Sequence, residues 1–538
     1  MVIRYRVLAL LTIAGCAVPN DPGDPPREAR VATAQTIEWG ACPGTDYAFV
    51  PNVECATVPM PLDHEHPDGR TVPVLVARVL SGSAHPNQLW MFDGGPGGSG
   101  EEFFLGILQW FRAVMPDTDF YVPAHRGTGY SAPLACPGEG ATTPLGNEMT
   151  PAEWRQCRNL VVSEWGDGLQ YFNVSNAVDD FAALIDMARQ PGVPVYIYGL
   201  SYGTTVGWRY LARHPHQADA IIQDSIVSPN IEFISQADAY IDPLFQEFAG
   251  LCANDALCSS KMGPHPYEHV QQIVHDLDAG HCAEAGITHA RLRQFMGAAL
   301  ISWDLRPAAF AVPYRLERCS ADDVAAAQRA MGIYFTPTDD EYGYQRALEV
   351  NISFNELWES PPPSPWLIKE RVDHELASLA DWTKNRADIY PSWPKYAPDT
   401  SDPAWPHTEI PMLMINGDLD GETPIDLALA ARDHYHGPHQ TFVIIPNATH
   451  AAGYQSPTTR PDGIPCGIDI MGSFVHDPRG ALDLSCLDEL EPLTFDDAIG
   501  AYVLMNSGSF WDTTPVTFPL AVTQSTATRR MLARSRIR

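Results

Sequence analysis

The chain has 538 residues, 45% of them apolar and 19% charged, which suits a packed globular protein and argues against disordered, collagenous and coiled-coil classes. That length allows up to about three or four domains, or one large domain with an insertion. Lys and Arg number 34 against 66 Asp and Glu, and the net charge of −32 repels phosphate backbones and anionic headgroups, so nucleic-acid binding is disfavoured.

Arg4 and Arg6 stand before an apolar run at residues 7–15, shorter than the roughly 20 residues of a membrane span but suited to a secretory signal. The run ends Leu11, Thr12, Ile13, Ala14, Gly15, Cys16, which resembles a bacterial lipobox with Cys16 as the lipidated new N-terminus. The alternative is an ordinary signal peptide with an incidental cysteine. Residues 1–15 are thus expected to be a lipoprotein signal peptide, and 16–35, rich in Pro, Asp and Ala, a lipidated tether. The expected location is the bacterial cell envelope, membrane-anchored through lipid, or secreted.

Eleven cysteines are an odd number for an exported protein, and assigning Cys16 to lipid leaves ten that can pair completely. Short separations favour Cys42 with Cys55, Cys136 with Cys157, Cys252 with Cys258, Cys282 with Cys319 and Cys466 with Cys486, although spacing alone does not determine connectivity. With no C-x-x-C pair, zinc and thioredoxin-like redox chemistry have little support.

Apolar runs at 72–80, 88–92, 119–123, 195–198, 220–226, 410–415 and 441–445 predict buried strands, and helical spacing at 103–115 and 177–188 falls between them. The alternation predicts an α/β fold, a mostly parallel sheet flanked by helices, with a first core segment at 36–227 and a second at 408–512. Between them, 228–407 breaks the rhythm and reads as an inserted helical cap, with helices over 240–251, 266–277 and 369–382. Trp358, Trp366, Trp382, Trp393 and Trp405 read as its core. Residues 513–538 form a basic tail.

Gly199, Leu200, Ser201, Tyr202, Gly203 lies between a predicted strand and a predicted helix, the context of a nucleophile elbow, where a strained turn lifts a serine hydroxyl above the sheet. The loop Asp93, Gly94, Gly95, Pro96, Gly97, Gly98, Ser99, Gly100 lacks the lysine of a phosphate cradle and fails dinucleotide spacing. In a serine hydrolase it supplies one oxyanion-hole amide and the residue after the nucleophile the other, here Gly95 and Tyr202. A serine needs a base and an orienting carboxylate, in the chain order Ser, Asp, His. An acidic loop, Asn416 to Pro424, follows the sixth predicted strand, and His450 follows the last. His64 and His66, in the turn at 63–69, read as solvent-facing.

At these motifs the chain resembles the tripeptidyl aminopeptidase and prolyl aminopeptidase family of α/β-hydrolase serine peptidases. The resemblance runs from about Trp39 to Glu491 and includes Arg126, Gly127, Thr128, Gly129, Tyr130, Ser131. It implies Ser201 as nucleophile, Asp420 rather than Asp418 as the carboxylate, and His450 as base, and it likens the region with Cys466 and Cys486 to the C-terminal part of tripeptidyl aminopeptidases. Ala124 and His125 precede Arg126 where relatives usually carry an aspartate two positions before it, so that loop is expected to be held differently. The segment Asn351 to Glu356 resembles one ending Cys-x-Glu, with Phe354 replacing the cysteine, and offers Glu356 as the carboxylate for a substrate amine. The expected reaction is cleavage of peptides near free N-termini through an acyl-enzyme, with no metal or cofactor. Carboxylester hydrolysis and non-catalytic surface binding are the alternatives, and oligomeric state is open.

Overall fold

Strands covered on both faces read as near-continuous apolar runs, and 118–123, 195–200, 220–224 and 412–417 are buried throughout. The computed structural model describes residues 36–44, 47, 50–136, 149–335, 344–379, 381–397 and 404–516. The predicted signal and tether, Cys16 and the arginines of the tail lie outside them. The elements are β1 (Val53–Pro61), β2 (Thr71–Val79), β3 (Asn87–Phe92), α1 (Glu101–Val114), β4 (Thr118–Pro123), α2 (Pro151–Trp165), α3 (Val174–Ala188), β5 (Val195–Leu200), α4 (Tyr202–Arg213), β6 (Ala220–Asp224), β7 (Met412–Gly417) and β8 (Gln440–Ile445).

They build one eight-stranded sheet in the order β1-β2-β4-β3-β5-β6-β7-β8. β2 pairs antiparallel with β1 and β4, and the remaining neighbours are parallel. In this register Phe92 lies opposite Gly199, Leu200 opposite Asp224, and Gly417 opposite Ile445. The loops leaving these strands therefore emerge at one edge, where open α/β sheets bind ligands. One apolar cluster covers a face through α1 and the helix Cys466–His476, another covers the opposite face through α2, α3 and α4.

The connection from β6 to β7 is helical, and helices 237–254, 266–278, 289–300, 308–318 and 321–335 share a third cluster. Phe495, Leu504, Phe510 and Trp511, from the predicted second core segment, pack into that cluster rather than against the sheet. Trp358 and Trp393 are buried, with Trp382 and Trp405 packed beside them, but in the cluster that also holds Trp154 and Phe172. Trp366 departs from the expected tryptophan core: it is 68% exposed. The predicted helix at 369–382 is broken into Pro365–Asp373 and Trp382–Arg386. Between them the Leu376 and Ala377 amides donate to the Asp242 carboxylate at 2.8 and 3.3 Å, a side-chain substitute for the helical ladder.

All five expected cysteine pairs are disulfides. Among the described residues no helix is long and apolar enough to cross a membrane.

Arg126 shows how the loop after β4 is held with Ala124 in place of an aspartate. Its buried guanidinium forks onto Asp180 of α3 at 2.6 and 2.7 Å and donates to the carbonyls of Pro61, Leu62 and Tyr171. His64 joins the same carboxylate at 2.7 Å and is not solvent-facing, whereas His66 is 79% exposed. Breaking a buried pair of this kind leaves an uncompensated charge. Arg126→Leu is expected to cost about 3 to 5 kcal/mol, measured by denaturant unfolding; a loss no larger than that of a surface arginine would show that the pair is not needed.

Candidate active site

Ser201 sits between β5 and α4 with φ 55° and ψ −123°, the strained conformation of a nucleophile elbow. The two flanking glycines are required by close approach: a Cβ on Gly203 would lie 2.2 Å from the Phe92 carbonyl oxygen, and one on Gly199 2.5 Å from that of Gly203. The glycine loop after β3 lies against Ser201, since a Cβ on Gly94 would come within 3.1 Å of Ser201 Cβ and 3.5 Å of its Oγ. The Gln345 amide donates to the Gly97 carbonyl at 2.9 Å and Tyr344 bridges Gly98, so the start of helix Arg346–Glu356 clasps this loop. Tyr202 opens α4, and its amide is one of the first-turn donors without an intrahelical acceptor. Gly95 thus stands on the loop packed against Ser201, and Tyr202 at the first position of α4.

Behind the elbow, His125 Nδ1 donates to the Arg126 carbonyl at 2.7 Å, which leaves Nε2 to accept from the Tyr202 hydroxyl at 3.2 Å. Burial pushes His125 down to about 4, keeping the imidazole neutral and this arrangement intact at ordinary pH.

Asp420 and His450 come from the loops after β7 and β8. His450 Nδ1 lies 3.0 and 3.1 Å from the two Asp420 oxygens, and Asp420 also accepts from the amides of Glu422 and Thr423 and from the Thr423 hydroxyl. Burial opposes ionisation of Asp420, but the His450 charge and these donors hold its carboxyl below the usual range. Asp418 instead accepts from the Asn447 amide at 2.5 Å, bracing the loop that carries His450.

The backbone after His450 is pinned from β6. Ser225 Oγ accepts from the amides of Ala451 and Ala452 at 2.8 and 3.2 Å, and buried Asp224 accepts from the Gly453 amide and from the Tyr198 hydroxyl. Sequence inspection missed both residues, because a serine and an aspartate ending an apolar run look like an ordinary turn.

On the open side of His450, Glu422 Oε2 lies 3.4 Å from Nε2. Burial and the Asp420 charge push the Glu422 carboxyl up against the opposing pull of His450. Glu232, buried on the segment after β6, is raised well above its ordinary value by burial and by Asp420. Burial alone would depress His450; Asp420, Glu422 and Asp224 together lift it to about 10.

Glu356 is turned to internal partners. Its carboxylate accepts from the Val174 amide at 3.1 Å and the Tyr396 hydroxyl at 2.8 Å and faces Arg209 at 3.9 Å, with 5% of the side chain exposed. It anchors the start of α3 to the helix Arg346–Glu356, and this internal use argues against the substrate-amine role. Phe354, in the position of the family's cysteine, fills an aromatic cluster with Trp358, Tyr390 and Trp393.

Residues 89–261 match the family described as alpha/beta hydrolase fold, in agreement with the strand order. The chain is 27% identical over 303 residues to Serine protease Hip1 of Mycobacterium tuberculosis, covering 52% of this chain and 56% of that protein. It is 27% identical over 226 residues to the Tripeptidyl aminopeptidase of Streptomyces lividans, covering 38% and 41%. The matches thus span about half the length of these curated relatives. An esterase structure from Exiguobacterium antarcticum aligns at 10% identity and TM-score 0.29, covering 71% of this chain and 89% of its own. The fold is that of an α/β hydrolase, and the resemblance to tripeptidyl aminopeptidases extends to serine protease Hip1.

The Ser225 contacts generate a prediction. Ser225→Gly keeps the positive φ of 55° accessible while removing the acceptor of two buried amides. It is expected to lower stability by about 1 to 3 kcal/mol; unchanged denaturant unfolding would show that the clamp does not contribute.

Proposed function

We propose that the protein is a serine peptidase that cleaves near free N-termini, with Ser201 as nucleophile, His450 as general base and Asp420 as the carboxylate that orients it. The observation that carries this reading is the Asp420–His450 pairing on loops that leave the same sheet edge as the Ser201 elbow. The similarity to a serine protease and a tripeptidyl aminopeptidase supports peptide over ester substrates.

Ser201 Oγ attacks the scissile carbonyl as His450 Nε2 takes its proton, giving a tetrahedral oxyanion held by the Gly95 and Tyr202 amides. Collapse returns the proton to the leaving amine, and water repeats the sequence on the acyl-enzyme. Glu422, 3.4 Å from His450 Nε2, is the carboxylate placed to meet a substrate ammonium near the reacting bond, whereas Glu356 is engaged by Val174 and Tyr396. The lipobox-like ending at Cys16 supports export and lipid anchoring. A carboxylesterase would use the same triad but would gain nothing from an amine.

A peptide amide and its N-acetylated twin separate these readings. Loss of a buried ammonium–carboxylate pair costs about 2 to 5 kcal/mol, so kcat/KM is expected to fall roughly 30-fold to several thousand-fold on acetylation. Equal values, with fast cleavage of amine-free esters, would favour the esterase. A fluorophosphonate probe is expected to label Ser201, and Ser201→Ala to abolish labelling with Tm retained; undiminished labelling of that variant would reject the nucleophile.

A further inference from the structure

Two groups compete for the reacting nitrogen of His450. In a working triad Nε2 must face the serine hydroxyl, yet here it lies 3.4 Å from Glu422 Oε2, while Ser201 Oγ makes no hydrogen bond to the ring among the described residues. Asp420 holds the other nitrogen, so the imidazole is bracketed by a carboxylate on each side. From this geometry, and resting on the triad reading above, we infer that Glu422 is a positioning residue that caps Nε2 in the resting protein and must be displaced before Ser201 can pass its proton to His450.

The loop sequence explains the reach. Glu422 follows Asp420 by two residues, and its own amide donates to Asp420 Oδ1 at 2.9 Å, fixing the backbone that carries the side chain. Unlike Asp420, whose side chain is fully buried, Glu422 keeps 28% of its side chain exposed, so it can leave Nε2 for solvent without being stranded in the core. The neighbours bearing on His450 are acidic: Asp420 and Glu422 from the loop after β7, Asp224 from the end of β6, and Glu232 from the segment after it. Each carboxylate favours the imidazolium, which has no lone pair at Nε2 with which to accept a proton. A base poised this way works only after the ring loses its proton and Nε2 is uncovered. Removing the Glu422 charge should therefore lower the pH at which His450 becomes competent.

Fluorophosphonate labelling reads this step without an amine in the substrate. The Ser201 Oγ–phosphorus bond forms, the phosphorus–fluorine bond breaks, fluoride leaves and the hydroxyl proton passes to Nε2. In wild type the labelling rate is expected to rise with pH along an acid limb above the ordinary histidine value of about 6.5. In Glu422→Gln, which preserves shape, that limb is expected to move down by about one pH unit or more and the rate at pH 7 to rise about tenfold. Glu422→Ser provides a second route should the amide disturb the loop, and thermal midpoints establish that each variant is folded. Wild-type labelling at Ser201 with an unmoved limb and rate in both folded variants would overturn the assignment and leave the triad standing. Absence of Ser201 labelling in wild type and variants alike would reject both.

Discussion

The parallel register of β3, β5, β6, β7 and β8 is the constraint on which the site depends. It brings Phe92 beside Gly199, Leu200 beside Asp224 and Gly417 beside Ile445, so five chain segments distant in sequence release their loops at one edge. The glycine loop, the Ser201 elbow, the Asp224–Ser225 clamp, Asp420 and His450 each begin at or within five residues of a strand end. A slip of one residue would turn every side chain of a strand to the other face, and strands buried on both sides by bulky apolar residues resist that slip. The close fit of Gly203 beneath the Phe92 carbonyl ties the nucleophile turn to β3 in the same way.

Legibility in the sequence followed the strength of local signals. The seven predicted strands agree with β2 to β8 within two residues at every end, because apolar runs have few other uses in a chain of this composition. β1 escaped notice: Val53–Pro61 carries Glu54, Thr57 and two prolines, and its burial comes from one face and from pairing with β2. α2 was missed for a similar reason, being an amphipathic helix whose buried Trp154, Cys157, Val161 and Trp165 are spaced among charged residues. The break after Asp373 was invisible because the competing acceptor, Asp242, is far away in sequence.

The site divides along the same line. The glycine–serine turn at Ser201 and His450 stood out because each follows a predicted strand, Asp420 was singled out from Asp418 by the family resemblance, and the structure brings Asp420 and His450 together. Glu356 was placed in the amine role by a segment resemblance, and its contacts with Val174, Tyr396 and Arg209 were beyond any local pattern. Glu422 lay in plain view two positions from Asp420, yet only the fold turns it onto Nε2. The result is a histidine, His450, surrounded by carboxylates in a chain of net charge −32, an environment that favours cationic groups and opposes deprotonation of the ring.

The central claim, that the sheet edge assembles a Ser201 acyl-transfer centre for peptides, is tested most directly by trapping the covalent intermediate. Full-length protein mixed with a free-amine peptide ester of matched sequence, quenched in acid within the first turnover and mapped by peptide mass spectrometry, is predicted to carry the substrate's amino-terminal fragment as an ester on the peptide containing Ser201. Rapid turnover with no acyl group on Ser201, or with the fragment on a different residue, would contradict it.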